Sequence, residues 1–102
     1  MKLVEIYLPF RKANGEKVGK EEFVRVEQML TDKFGGATAY RRNPAVGSWK
    51  RSEGEVEVDD IAVIEVMTDG FDRHWWTVYQ HELKERFQQD EILIRIMEVE
   101  RL

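Results

Sequence analysis

The chain of 102 residues has no cysteine and only two prolines. Without cysteine it can form no disulfide, no thiolate zinc site and no cysteine nucleophile. It also lacks any apolar run long enough to span a bilayer as a helix. A chain of this length can bury one hydrophobic core without metal or disulfide support, so we expect a single domain over residues 1–102.

Positive charge is in deficit: 16 lysines and arginines stand against 20 acidic residues, which gives a net charge of −4. A dedicated nucleic-acid binder usually carries a basic surface, so we expect neither a nucleic-acid partner nor a membrane partner. Glu5 interrupts the only apolar run near the N-terminus, which makes that segment a poor signal peptide. A cytoplasmic location is therefore expected.

The hydrophobic periodicity predicts six main elements in the order βαββαβ. Such an order is typical of the ferredoxin-like α+β fold, a four-stranded antiparallel sheet with both helices on one face and strand 1 between strands 3 and 4. An extra β-hairpin is expected after strand 2, turning at Glu53-Gly54. The predicted strands cover 4–10, 37–40, 60–68 and 91–99, the helices 20–36 and 72–89, and the hairpin 49–58.

Both histidines fall in the second predicted helix, on the side opposite its aromatic residues. At 100° per residue, Trp76 and Phe87 share the core side. His74 and His81 are two turns apart, about 10 Å along the axis, which is too far for one ion. His81 and Glu85 could supply two ligands, but nothing completes a metal site. We therefore predict a solvated face without metal; a partner helix covering Val78 is the alternative. That side of the helix carries His74, Val78, His81 and Glu85.

The sheet face turned away from the helices is predicted to be too apolar to remain in water. A second copy of the chain is the simplest cover, because isologous dimers are the commonest oligomers. The hairpin of Trp49, folded back on its own chain, and a bound ligand are the alternatives. The predicted interface residues are Ile61, Val63, Met67, Leu93, Met97 and Val99.

The same face carries charged and phenolic residues on three strands that are neighbours in the predicted order. Glu5, Glu65 and Arg95 would lie side by side if the strand registers agree, with Tyr7 close to them. One interpretation is an ion-pair network that satisfies these charges beneath a cover. The other is the polar floor of a small-molecule cleft, with a carboxylate available for acid–base chemistry.

Residues 41–51 are basic, and residues 53–60 are acidic. The basic segment could bind an anion beside an aromatic ring, a phosphate or a nucleic-acid single strand for example. The competing interpretation, that the two segments pair across the hairpin, is favoured because the acidic arm is adjacent. The candidate ligand-binding residues are Arg41, Arg42, Trp49 and Arg51.

Four segments resemble a family of small bacterial domains, known as hypothetical proteins of unknown function. They are "IYLPF", "LTDKFGG", "SWKR" and "ELKERFQQDEILI", and they span most of the chain. The segment "RRNPAVG" departs from the family pattern. The resemblance implies a ferredoxin-like fold and transfers no catalytic residue.

Two hypotheses of function follow from these observations. The first is a ligand-sensing or protein-interaction module, homodimeric through its sheet face and without cofactor. The second is a cofactor-free enzyme of the dimeric α+β barrel type. Its candidate catalytic residues would be Glu65, Arg95, Tyr7 and Glu5.

Overall fold

The computed structural model describes residues 1–42 and 61–102, and for Arg41 and Arg42 the backbone alone. Its elements follow the predicted order βαββαβ. The hairpin predicted at 49–58 lies outside the described residues. The strands are β1 (Lys2–Pro9), β2 (Thr38–Arg42), β3 (Ile61–Thr68) and β4 (Ile94–Glu98), and the helices are α1 (Lys20–Phe34) and α2 (Arg73–Arg86).

The strands form one antiparallel sheet in the order β2-β3-β1-β4. β1 therefore lies between β3 and β4, as the sequence predicted, and the architecture is the ferredoxin-like α+β fold. In the register, Glu5 lies opposite Glu65 on β3 and opposite Arg95 on β4.

One face of the sheet packs against both helices and holds the core. Val4, Ile6 and Leu8 of β1 are 0% exposed, which is the alternation typical of a strand that packs one face on a core. The buried helix residues fill the other side of this core. They are Val26 and Leu30 of α1, Trp76, Tyr79 and Leu83 of α2, and Phe87 directly after it.

Both helix boundaries follow from local chemistry. α1 ends at Gly35, whose φ of 83° is accessible to glycine at little cost and whose N–H donates to the Thr31 carbonyl at 2.8 Å. α2 begins at Asp72, whose carboxylate accepts a hydrogen bond from the backbone N–H of Trp75 at 3.1 Å. A glycine after a helix and an aspartate before one are both signals that the sequence itself shows.

The last strand is shorter than predicted. Its apolar alternation runs over 91–99, but ladder pairing covers only Ile94–Glu98. Ile92 is nevertheless buried in the core, and the Leu93 carbonyl accepts a hydrogen bond from the Tyr7 N–H at 3.0 Å. Side-chain burial thus begins before regular pairing, so the sequence pattern places the strand correctly and overestimates its length.

An ion pair joins the two helices. The Arg86 guanidinium contacts the Glu22 carboxylate at 2.9 Å, and both side chains are mostly buried. Burial also raises the pKa of the Tyr79 phenol, an effect that the neighbouring Arg86 opposes.

Among the described residues, no helix is long and apolar enough to cross a membrane.

Candidate functional site

The face of the sheet turned away from the helices, here called the open face, is organised in rows across the strands. Its middle row, the polar row, runs from β4 to β2 through Arg95, Glu5, Glu65 and Thr38. The row on one side of it is apolar, and the row on the other side is rich in tyrosine. The apolar row contains Met97, Leu3 and Met67, and the tyrosine-rich row contains Tyr7, Val63 and Tyr40.

Glu5 is the centre of the polar row. It is 8% exposed, and one of its carboxylate oxygens accepts a hydrogen bond from the Tyr7 hydroxyl at 3.0 Å. Arg95 reaches the same oxygen at 3.9 Å and donates to the Tyr7 hydroxyl at 3.2 Å. The buried carboxylate therefore has a cation and a phenol beside it, as a largely desolvated charge requires.

Glu65 has a different environment. Its carboxylate accepts a hydrogen bond from the Tyr40 hydroxyl at 2.8 Å, and its side chain is only partly buried. A carboxylate offers about four acceptor positions, so this bond leaves Glu65 able to accept hydrogen bonds from a ligand. Within one row, Glu5 is enclosed by side chains of its own chain, and Glu65 faces outward.

The predicted interface residues differ widely in exposure. Met67 is 48% exposed and Leu93 is 56% exposed. Ile61, Met97 and Val99 are half-buried. Val63 is 0% exposed in the single chain, so of the six it has the least surface to offer, and the interface itself stays a prediction. The accessible apolar surface is centred on Met67 at one side of the face and Leu93 at the other.

A pocket of about 400 Å³ opens at the β3 side of the open face, beside the turn between α1 and β2. Side chains of β1, β3 and α1 form its apolar wall, and the turn contributes small residues. One acidic residue and one basic residue also line it. The wall is Leu3, Phe34 and Met67, the turn and the first residue of β2 supply Gly35, Gly36, Ala37 and Thr38, and the charged residues are Glu65 and Arg101.

Sequence reasoning found part of this site and missed the rest. It placed Glu5, Glu65, Arg95 and Tyr7 together, and the register brings them within two adjacent rows. It did not place Tyr40 beside Glu65, and it did not identify the pocket or the contribution of Arg101. The Gly35-Gly36 pair was the available signal, because small residues directly after a helix let a ligand approach the backbone closely.

The remaining candidates lie elsewhere. Arg41 and Arg42 belong to β2, where the backbone of Arg41 pairs with Ala62. Trp49 and Arg51 lie outside the described residues. His74 and His81 are both exposed on α2. Residues 1–42 and 61–102 contain no group of three or more histidine, aspartate or glutamate side chains that could hold a metal ion.

Comparison with known proteins identifies the fold. No protein-family model matches the chain, and no curated protein matches it. A phage SAM lyase in complex with S-methyl-5′-thioadenosine superposes with a TM-score of 0.62 at 17% identity, over 95% of this chain and 80% of that one. CutA1 from Pyrococcus horikoshii gives 0.57 at 19% identity, over 100% and 86%. The PII-like protein CutA from Nostoc sp. PCC 7120, in apo form, gives 0.56 at 16%, over 97% and 81%.

At these identities the likeness establishes the ferredoxin-like fold alone. It covers nearly the whole of this chain. The resemblance to uncharacterised bacterial domains stays a prediction, because no family is shown by these comparisons. What the chain does must therefore be argued from its own open face.

Proposed function

We propose that this chain is a single-domain ligand-sensing module that forms a homodimer through its open face. The observation that carries the proposal is the composition of that face. A satisfied polar centre at Glu5 lies between two accessible apolar side chains, Met67 and Leu93, and a pocket opens beside it. Core-like apolar residues around a satisfied polar group are typical of a surface that another molecule covers.

The arrangement of charges favours a second copy as the cover. Arg95 and Glu65 lie on the two strands that flank β1, with Glu5 between them. If two copies face each other across a two-fold axis above β1 and parallel to it, Arg95 of each copy lies opposite Glu65 of the other. An isologous contact of this kind is self-complementary in charge, and it brings the β4 side of one face over the β3 side of the other.

The pocket supports the sensing part of the proposal. Its volume of about 400 Å³ is in the usual range for small-molecule sites. Met67 borders the pocket, so a bound ligand would contact a side chain at the edge of the proposed interface. The phage SAM lyase structure holds the small molecule S-methyl-5′-thioadenosine on the same overall fold. A cytoplasmic location remains a prediction from the sequence.

The dimer is tested by sedimentation equilibrium of the wild type and two matched variants. Leu93 on the open face and Val78 on the outer face of α2 are 56% and 55% exposed. We expect the wild type to be a dimer, Leu93→Glu to be a monomer and Val78→Glu to remain a dimer, with unchanged circular dichroism spectra. A monomeric wild type, or equal dissociation of both variants, would exclude the open face as the specific contact.

The second candidate is a cofactor-free enzyme, and the contacts around Glu5 favour it. A carboxylate, a phenol and a guanidinium are in mutual contact through Glu5, Tyr7 and Arg95, with Glu65 in the same row. Such a set can hold and move protons. One neighbour of similar fold is a SAM lyase. The test is incubation with SAM and detection of released S-methyl-5′-thioadenosine. Product that forms with the wild type and disappears in both Glu65→Gln and Tyr7→Phe would favour the enzyme. Absence of product with the wild type would exclude SAM cleavage as its reaction.

A further inference from the structure

We infer that the pocket beside the α1–β2 turn binds a free α-amino acid with an apolar side chain. This inference rests on the proposed sensing function and names the class of its ligand. The pocket of about 400 Å³ exceeds the size of one amino acid and is open to solvent on one side. A small ligand can therefore enter without opening the core.

Two opposite charges on the pocket wall define the polar groups of the ligand. Glu65 and Arg101 both line the pocket. Within residues 1–42 and 61–102, neither makes an ion pair, and the hydrogen bond to Glu65 comes from the neutral phenol of Tyr40. A zwitterion satisfies both residues at once, with its ammonium on the Glu65 carboxylate and its carboxylate on the Arg101 guanidinium.

The apolar wall defines the rest of the ligand. Phe34 is held in place by stacking on Trp76 at 5.4 Å and by an edge contact with Trp75 at 5.5 Å. Leu3 and Met67 complete the wall, and a methionine adapts easily to ligands of different shape. An aliphatic, thioether or phenyl side chain fits this surface, whereas a second charged group would be desolvated against it.

Other small molecules match the lining less well. A neutral nucleoside would supply hydrogen-bond donors to Glu65 but no negative charge to Arg101. A phosphate would satisfy Arg101, but it would bring negative charge close to Glu65. The two glycines of the turn let a ligand approach the backbone, and a Cβ atom added at Gly36 would meet no atom within 4 Å. Gly36 therefore lines open space that a ligand can occupy.

The test is a titration of ¹⁵N-labelled protein followed by NMR. The probes are L-leucine, L-methionine and L-phenylalanine, together with N-acetyl-L-methionine, which lacks the ammonium, and L-methioninamide, which lacks the carboxylate. We expect amide shifts around Gly35, Gly36, Thr38 and Met67 with the three amino acids. Loss of one charged hydrogen bond should weaken binding of either methionine derivative roughly tenfold to a hundredfold.

Variants assign the binding to this pocket. Glu65→Gln and Arg101→Gln should each weaken L-methionine binding by a similar factor. Glu65→Gln should have little effect on N-acetyl-L-methionine, which has no ammonium for Glu65 to bind. Arg101→Gln should have little effect on L-methioninamide, which has no carboxylate for Arg101 to bind. Gly36→Leu should fill the pocket and abolish binding. Gly70→Leu is the matched control, because a Cβ atom there also meets nothing within 4 Å and Gly70 does not line the pocket. Equal loss in both glycine variants would overturn the assignment.

S-methyl-5′-thioadenosine serves as the nucleoside probe and separates this inference from the broader proposal. If it shifts the pocket amides and the amino acids do not, the amino-acid inference is wrong and ligand sensing stands. If no probe shifts these amides while Leu93→Glu still dissociates the dimer, the inference and the sensing role both fall. A protein-interaction module would then be the better description.

Discussion

The two faces of the sheet differ more than any other two regions of this molecule, although the same strand contributes to both. On the helix side, β1 presents Val4, Ile6 and Leu8, which are fully buried and purely apolar. On the open face it presents Leu3, Glu5 and Tyr7, which mix apolar contact, charge and hydrogen bonding. Strict alternation in one strand thus separates the residues that stabilise the fold from those available for recognition.

The helix side is stabilised mainly by apolar packing, with the Arg86–Glu22 ion pair between the helices. Phe34, Trp75, Trp76 and Tyr79 form a continuous set of ring contacts between α1 and α2, with centroids about 5–6 Å apart. The open face holds no comparable ring cluster among the described residues, and its centre is instead a hydrogen-bonded carboxylate. The faces should therefore respond in opposite ways to apolar truncation and to removal of polar groups.

The largest expected effect comes from the same truncation made on each face. Leu30 is 0% exposed under α1, and Leu93 is 56% exposed on the open face. Leu30→Ala should lower the free energy of unfolding by about 2–5 kcal/mol, because it leaves a cavity in the core. Leu93→Ala should change the intrinsic stability of the monomer by less than about 0.5 kcal/mol. Urea denaturation at low protein concentration, where any dimer is dissociated, measures both.

Equal costs for the two leucine variants would contradict the division between the faces. A large loss for Leu93→Ala that appears only at high protein concentration would instead locate its contribution in the dimer, since association adds to apparent stability. The dependence of the stability loss on protein concentration therefore separates a role of Leu93 in the dimer from a role in the folded monomer.

The sequence predicted the fold well because burial alternates regularly along it. The period of two in β1 and the stripe of Val26 and Leu30 in α1 are direct consequences of one packed layer, so they can be recognised without coordinates. The glycine stop at Gly35 and the cap at Asp72 are equally local.

The site was less predictable because it depends on distant parts of the chain. The sequence indicated that Glu5, Glu65 and Arg95 share a face, but their adjacency requires registers that no local pattern determines. Arg101 joins the pocket from beyond the last strand, so periodicity contains no information about it. Val63 has the pattern of an exposed residue and is buried, because its exposure depends on neighbouring side chains rather than on its own strand.

The second prediction concerns the charge at the centre of the open face. Arg95→Met keeps an unbranched apolar stem and removes the cation beside Glu5, leaving a mostly buried carboxylate with the Tyr7 hydroxyl. We expect a loss of about 2 kcal/mol in the free energy of unfolding, limited because Arg95 is half-exposed and partly screened by water. Urea denaturation near neutral pH measures this loss.

The double variant Glu5→Gln/Arg95→Met tests the reason for that loss. In Glu5→Gln there is no buried carboxylate that the loss of Arg95 could leave uncompensated. Arg95→Met should therefore lower the free energy of unfolding much less in the Glu5→Gln background than in the wild type. If the cost is the same in both backgrounds, the loss does not depend on the Glu5 charge, and the ion pair is not what stabilises the face.

The smallest effects come from removing one phenol oxygen on each face. The Tyr7 hydroxyl bonds Glu5 and Arg95 on the open face, so Tyr7→Phe should cost about 1 kcal/mol. The Tyr79 hydroxyl is buried on the helix side beside the Arg86 guanidinium, and it makes no hydrogen bond of good geometry among the described residues. Tyr79→Phe should therefore change stability near neutral pH by less than about 0.5 kcal/mol, because no well-formed hydrogen bond is lost. Matched urea denaturation of the two variants measures the difference.

The effect of the Tyr79 phenol on the free energy of unfolding should become measurable at alkaline pH, although it is small near neutral pH. Burial raises the pKa of its phenol above the ordinary value of about 10. Below pH 10 the phenol is neutral in both states, and its contribution to stability is fully present. Above it the unfolded chain loses the proton first, so the free energy of unfolding falls as the pH rises toward the folded-state pKa. Between about pH 9 and about pH 11, Tyr79→Phe should therefore lose less stability than the wild type. Parallel losses in the two proteins would mean that the Tyr79 phenol reaches water, and the helix side would then not be the sealed face that its packing indicates.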